Sequence, residues 1–512
     1  MTFFVFQMKI PTFLPILVLL LFQPVRAQEK TVLTIDRAID IALHGSYTVR
    51  SNDESRQAMQ YNYLYYQAQF KPRLDLYLDL PSWNERVSEI PQADALPVYN
   101  STSSIKFGSD LRFTYVLPTG GNLALTGNMY HESIRTTFQS DYSTQKRQLA
   151  YSQFGIAFIQ PVFTKNLLRE NLVRAEYRYK SSELYFTRAQ MDIIYMVTSG
   201  FYEVYRAAYE QQIGEERLSN SQEALRIAKL KFETGNISEG ELLGTEIEAA
   251  RNDALLLESI GKYERAKDEF KFLIGLNMTE EVDIIAEMEL ETALIDQQNA
   301  IDQALANRLD IKEGEYDIKL QEIEVDRAKR EGEVRGDIRA YYDFTGLSPL
   351  EGNAMELFRS SFDNMSVRPP NRGVTFTLTV PILDWGRRRN NVRTQTIYLD
   401  QTKMRLDNLN EQIVKEIREI VRMVNEAEKR FRINQTNIDI ASRNYRIYRL
   451  RFENGDITGQ ELSLEQTRLS QVQLDYINAY VTYQLALADL KRKTMWDFEN
   501  NRSYLINEKL NN

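Results

Sequence analysis

The sequence predicts a mainly helical chain that also builds part of a membrane β-barrel. Three observations carry this prediction. One helical hairpin tip occurs twice, the prolines leave two long stretches in which helices can run, and the strands between them have one apolar face.

The repeated tip is the clearest signal. Residues 449–462 read Arg-Leu-Arg-Phe-Glu-Asn-Gly-Asp-Ile-Thr-Gly-Gln-Glu-Leu. Residues 229–242 read Lys-Leu-Lys-Phe-Glu-Thr-Gly-Asn-Ile-Ser-Glu-Gly-Glu-Leu. Phe232, Gly235, Ile237 and Glu241 each lie 220 positions before Phe452, Gly455, Ile457 and Glu461. Gly235 and Gly455 suit the left-handed position that ends a helix without a Cβ penalty. Ser238 with Glu241, and Thr458 with Glu461, fit the capping box that starts the next helix.

Proline is absent between Pro161 and Pro349 and after Pro381. A proline inside a helix costs about 3 kcal/mol or more, so the gaps are where very long helices fit. One is expected from Leu167 to about Phe232, roughly 100 Å at 1.5 Å per residue. A second is expected from Arg387 to about Phe452. Their return helices start at the two tips, placed at 233–240 and 453–460. The second return helix carries Leu469, Val472, Tyr476, Tyr480, Tyr483, Leu487 and Leu490 at steps of three and four, a single apolar stripe.

The proline-bearing zones alternate with period two instead. Leu74, Leu76 and Leu78 alternate with Asp75, Tyr77 and Asp79, as Val374, Phe376 and Leu378 do with Thr375, Thr377 and Thr379. Strands are expected at about 72–80, 108–117, 122–130 and 151–160 in the first copy, and at about 336–346 and 373–380 in the second. Single helices are expected from 33 to about 70 and from 300 to about 335, with a loop over 346–373. The first copy takes residues 28–275 and the second 300–512, joined by an acidic connector over 276–299. Early landmarks of the copies, such as Ala38 and Ala300, are 262 apart and late ones 220, so the first copy holds 42 extra residues. These contain the additional hairpin of strands.

Composition narrows the function. The 512-residue chain has no cysteine, so disulfides and thiolate metal sites are excluded. Lys9, the apolar run Ile10–Phe22 and Val25-Arg26-Ala27 read as an export signal over residues 1–27. No later segment is apolar enough for a membrane helix. The net charge of −9 is dispersed, which argues against nucleic acid. His44 and His131 are the only histidines and lie on different elements, and no nucleotide or nucleophile motif occurs. No catalytic residue, cofactor or metal site is expected, and the chain is not read as an enzyme.

One-sided strands in lipid must close into a barrel, because open edges leave backbone groups unsatisfied. Four to six strands are too few for one chain to enclose a channel, so several copies must share the barrel. Hairpins this long with narrow stripes should pack laterally into a cylinder. The competing reading is a periplasmic coiled-coil scaffold or adaptor without a pore.

The chain resembles the TolC family of outer-membrane efflux proteins over nearly its whole mature length. The matches are the tandem copies, the opening run from Leu33 to Leu43, Arg308-Leu309-Asp310-Ile311, Pro161-Val162-Phe163, Pro381-Ile382-Leu383 and both tip glycines. The resemblance implies a homotrimer with a shared barrel in the outer membrane and an α-helical tunnel through the periplasm. It implies passive export of small molecules or type I secreted proteins. The implied partners are a periplasmic adaptor, docked at the tips, and an inner-membrane RND or ABC transporter. The family barrel has four strands per chain, so the extra hairpin either enlarges the barrel or caps it from outside; the cap is the expectation adopted here.

The candidate gate residues are Glu461, Glu465, Asp456 and Glu241. Acidic rings at a pore select cations and bind divalent ions. The family often narrows its tunnel end with two acidic positions. Here the first falls on Glu461 and the second on Leu464, with Glu465 one step off. The plainer role of Glu461 and Glu241 is to close their capping boxes, and that of Gly235, Ser238, Gly455 and Thr458 is to turn and cap the helices. Arg446, Arg449 and Arg451 read as solvated charge or as ties between helices. Pro161 and Pro381 are expected in the first helical turn at the barrel-to-helix joints, where a missing N–H is tolerated.

Overall fold

A computed structural model describes residues 31–93, 96–285, 295–348, 352–498 and 500–504. The expected export signal and residues 286–294 of the connector lie outside the described residues. In chain order the elements are β1 (Thr31–Leu33), α1 (Ile35–Gly45), α2 (Tyr47–Ala68), β2 (Arg73–Ile90), β3 (Val98–Val116), β4 (Asn122–Thr137) and β5 (Thr144–Val162). Next come α3 (Leu167–Glu233), α4 (Glu239–Ile274), β6 (Val282–Ile284), α5 (Gln297–Asn307), α6 (Leu309–Arg330) and β7 (Arg335–Leu347). Last are α7 (Ala354–Val367), β8 (Asn371–Thr379), α8 (Arg387–Asn454), α9 (Gly459–Thr494), β9 (Trp496–Asp497) and β10 (Arg502–Ser503). The chain divides into two compact units, residues 1–49, 192–292 and 422–489 in one, and 50–191, 293–421 and 490–512 in the other.

The first unit is built on aromatic packing between helices. Phe431 stacks on Tyr476, with ring centroids 5.0 Å apart, and meets Tyr480 at 5.7 Å. Tyr480 also meets Tyr202 edge-on, and Phe201 meets Phe270. Such pairs add about 0.5–1.5 kcal/mol beyond the area they bury. Tyr480, Tyr483 and Leu487 of the α9 stripe are buried here. Close packing in this unit needs glycine at position 275, where φ is +79° and a Cβ would press on the backbone of Gly45. β1 pairs in parallel with β6, a short strand within the region expected to be irregular.

The second unit holds a six-stranded antiparallel sheet in the order β2-β3-β4-β5-β7-β8. Its register sorts side chains into rows. One row is Leu74, Phe113, Leu125, Ile156 and Tyr342, ending on Arg372. The adjacent row is Asp75, Arg112, Thr126, Gly155, Asp343 and Asn371. Successive residues of a strand point to opposite faces, so over these rows the sheet has one apolar and one polar face. The strand residues chosen from alternation are therefore apolar on a common face.

Several expectations need correction. The extra hairpin is not outside the sheet: β3 and β4 lie between β2 and β5 in continuous pairing. The first-copy strands run to 16–19 residues, well beyond the alternating segments that located them. β2 passes Pro81 through a register irregularity between Asp79 and Ser82, which an edge strand tolerates. The helix expected over 33–70 is broken at Ser46, whose backbone is extended and whose hydroxyl accepts from Val49 N–H. The helix expected from 300 is broken at Arg308, also extended. The loop over 346–373 contains α7, started by a complete capping box between Asn353 and Glu356.

Candidate functional site

At the second tip, α8 ends in a Schellman turn. Gly455 N–H donates to Phe452 carbonyl at 3.0 Å and Asp456 N–H to Arg451 carbonyl at 2.9 Å. The first tip makes the same two bonds 220 positions earlier, Gly235 to Phe232 at 2.9 Å and Asn236 to Lys231 at 2.8 Å. Both glycines sit at positive φ, +87° and +75°, and a Cβ at either would meet nothing within 4 Å. The glycine is therefore required by backbone conformation and not by crowding.

Glu461 and Thr458 close a reciprocal box. Thr458 N–H donates to Glu461 Oε2 at 2.9 Å, Thr458 hydroxyl to the same oxygen at 3.1 Å, and Glu461 N–H to Thr458 Oγ1 at 3.3 Å. The bond from the Thr458 backbone, then that from its hydroxyl, holds the Glu461 carboxyl below its ordinary range. The carboxylate remains exposed, so capping leaves it open to solvent. At the first tip Ser238 hydroxyl accepts from Glu241 N–H at 3.2 Å, one half of the box.

Glu465 is placed differently. Its carboxylate is buried and accepts from Asn444 Nδ2 at 2.6 Å and from Arg468 Nη1 at 2.7 Å. It ties α9 to α8, while Asp456 is exposed in the turn. Under the turn, Tyr445, Phe452, Ile457, Leu462 and Leu469 form one buried cluster. Burial pushes the Tyr445 phenol up to about 12. The two copies meet here. Lys231 Nζ bonds the Phe452 carbonyl and lies 4.4 Å over its ring, and Gln466 reaches the Arg217 carbonyl at 2.8 Å. A groove of about 450 Å³ runs between the tips, lined by Glu241, Gly244, Thr245, Thr458, Gly459 and Ser463 among others. Arg449 pairs with Glu453 on its own helix at 3.1 Å, and Arg451 lies over Tyr448.

The joints depart from expectation. Pro161 is inside β5, paired with Asp337, and α3 starts only at Leu167. Asn166 caps that helix, accepting from Leu168 and Arg169 N–H at 3.0 and 3.2 Å. Pro381 follows β8, and Asp384 caps α8 by accepting from Arg388 N–H at 3.0 Å. The prolines thus mark strand exits, and side-chain oxygens a few residues later start the helices. Asn and Asp before long proline-free stretches are the signal for these caps. Among the described residues no group of three or more His, Asp or Glu is placed to hold a metal, and no helix is long and apolar enough to cross a membrane.

A family model described as outer membrane efflux protein matches residues 38–276 and 300–494, one segment for each copy. The chain belongs to the outer membrane efflux protein family. Its fold is similar to that of the Campylobacter jejuni CmeC outer membrane channel, at 13% identity, 93% coverage of this chain and 88% of that one, with a TM-score of 0.67. It is also similar to VceC from Vibrio cholerae, at 14% identity, 90% and 95% coverage and a TM-score of 0.62. The open-state Neisseria gonorrhoeae MtrE channel aligns at 13% identity, 90% and 88% coverage and a TM-score of 0.59. At these identities the structural likeness is one of fold. No curated relative matches the sequence. Membership assigns the chain an outer-membrane efflux role and not an enzymatic one.

Within such an efflux protein the sheet and the tips have distinct chemical capacities. The polar face of the sheet, with Asp75, Arg112 and Asp343 in one row, suits water, and the opposite face suits lipid. Glu461, Asp456 and Glu453 are exposed carboxylates at the second tip, Glu453 paired with Arg449, whereas Glu465 is held by Asn444 and Arg468.

Proposed function

We propose that this efflux protein is the passive exit duct of a tripartite export system, assembled as a homotrimer. Three copies share one barrel in the outer membrane, and their helical hairpins extend into the periplasm as a tunnel. The tips engage a periplasmic adaptor, and an inner-membrane RND or ABC transporter supplies the energy. Substrates are small molecules or type I secreted proteins. The carrying observation is the six-stranded sheet with one apolar face and two unpaired edges, which has no stable place in lipid unless copies close it.

Unpartnered stripes on the helices support the same assembly. Ile433, Ile440 and Ile447 of α8 recur every seven residues and are 61, 61 and 56% exposed. On α4, Leu243, Ile247 and Leu257 are 50, 69 and 66% exposed, with Ala250 and Ala254 between them. Heptad spacing of this kind suits the seam of a neighbouring helix, here supplied by another copy.

The test is fractionation and conductance. The full chain should sediment with outer membrane, run as a trimer in mild detergent and conduct ions in planar bilayers. A protein that stays in the soluble periplasm, or that remains monomeric and never conducts, would be a scaffold without a pore.

A further inference from the structure

We infer that the inserted β3–β4 hairpin spans the membrane as barrel wall, so that three copies of the six-stranded sheet close an eighteen-stranded pore. This rests on the trimeric duct reading above and goes beyond it in assigning the insertion and the width of the pore. The second copy of the internal repeat makes its share of the sheet from two strands, β7 and β8, whereas the first uses four. The hairpin is therefore an addition to a working pattern, and where its side chains point decides what it does.

The register decides that question. A hairpin capping the pore from outside would be polar on both faces. β3 and β4 instead keep the two-faced rows of their neighbours: Phe113 and Leu125 stand between Leu74 and Ile156, and Arg112 and Thr126 between Asp75 and Gly155. On this face the insertion carries Leu111, Phe113 and Tyr115 of β3 and Leu123, Leu125 and Met129 of β4, interrupted at Ser109 and Gly127. Strands of nine to eleven residues suffice to cross the hydrocarbon core, and β3 and β4 have 19 and 16.

Closure follows from parity and from the edges. With six antiparallel strands, the first and last run in opposite directions, so β8 of one copy meets β2 of the next in antiparallel sense. Over 74–78 and 374–378 both edges lack proline and bulge; the proline and register irregularity of β2 lie beyond this stretch, at Pro81 and between Asp79 and Ser82. Leu74, Leu76 and Leu78 on β2 are 60–64% exposed, and Val374, Phe376 and Leu378 on β8 are 50–76% exposed. Edge strands that stay single carry charges or bulges against pairing; these stretches present an apolar face suited to lipid beside a partner strand. At a strand spacing of about 4.8 Å and a tilt of about 40°, eighteen strands give a barrel about 36 Å across, against about 24 Å for four strands per copy. A barrel of that width leaves an open aqueous channel, as 16–18-stranded porins do. The membrane segment then admits bulky hydrated cargo, and selection falls to other parts of the duct.

The absence of native cysteine makes the test clean. Single variants Leu111→Cys, Leu125→Cys, Arg112→Cys and Thr126→Cys are labelled with a fluorophore in lipid vesicles and exposed to a lipid-borne quencher. Quenching several-fold stronger at 111 and 125 than at 112 and 126 is expected; equal, weak quenching at all four overturns the inference. For the seam, Leu76→Cys is combined in turn with Val374→Cys, Phe376→Cys and Leu378→Cys, and oxidised. At least one pair should give covalent dimers and trimers in denaturing gels. If all three stay monomeric there while native mass still shows a trimer, the closure is wrong. Native mass and bilayer conductance of each variant report on the duct separately. A conducting trimer without lipid contact at 111 and 125 sinks only the pore-wall assignment, and a monomer that never conducts sinks both.

Discussion

Glu461 combines two roles that different measurements separate. Its carboxylate caps α9 and still faces solvent. Because hydrogen bonds from Thr458 depress its pKa in the folded state, its contribution to stability is present above the ordinary carboxylate range. It is lost as pH falls through the depressed value. Glu461→Gln should flatten that acid limb of thermal stability while leaving a neutral cap. If Glu461 also lines the entrance, the same variant should lower cation selectivity or divalent block in bilayers; unchanged selectivity assigns it to capping alone. Thr458→Ala removes the hydroxyl that accepts from Glu461 N–H, and should cost about 1 kcal/mol by thermal or denaturant unfolding. Gly455→Ala should cost about 1–2 kcal/mol through its left-handed backbone, although there is space for the methyl group. Gly455→Asn should recover part of that loss, because Asn tolerates the conformation; no recovery would mean that the glycine is required for something besides φ.

Between elements, the break at Arg308 is the point where a charged cluster fixes helix packing. Arg308 contacts Asp310 at 2.5 Å and Glu416 of α8 at 2.9 Å, and Lys493 of α9 reaches the same Glu416 at 3.2 Å. Burial alone would raise the Glu416 carboxyl, but Arg308 and Lys493 bring it below its ordinary value. The cluster therefore stabilises above the ordinary carboxylate range and weakens as pH falls through the depressed value. Arg308→Ala leaves the mostly buried Asp310 without its cation, while the part-exposed Glu416 keeps Lys493, and should cost about 1–3 kcal/mol, read as a fall in melting temperature. A loss below about 1 kcal/mol would reduce the cluster to surface charge. In the sequence Arg308 stands only as part of a motif; the extended backbone that places it is hard to read, because neither proline nor glycine marks the break and Asn307 is its one weak stop signal. The long helices and tips were legible, because prolines and glycines act locally. α7 was overlooked although Asn353 and Glu356 spell its capping box, since prolines at 349, 369 and 370 made the whole stretch read as loop. The far halves of β2 to β5 were hidden for another reason: beyond the apolar band both faces are polar, and alternation vanishes while pairing continues.

For the whole molecule, the small number of strands and the narrow helical stripes predict that several chains must cooperate, and the proposed assembly has candidate seams in the side chains left uncovered in one chain. Ile433, Ile440 and Ile447 are exposed on a helix whose other positions, such as Phe431 and Tyr445, are buried within the unit. An isolated protomer gains nothing from three isoleucines in water at seven-residue intervals, whereas an assembly gains about 1.5–3 kcal/mol for each one fully buried. Ile440→Asp tests this directly. The residue is 61% exposed in the protomer, so the fold of one chain should change little and secondary structure by circular dichroism should be retained. In a three-fold assembly the substitution recurs at three seams, adding an uncompensated charge to each. The proposed trimer should then dissociate at lower detergent or denaturant concentration and lose conductance. Ile440→Leu, which keeps the apolar surface, should leave both unchanged. If the Ile440→Asp trimer proved as stable as the native one, the stripe would face solvent in the assembly, and the seam would have to be sought on the α4 stripe of Leu243, Ile247 and Leu257.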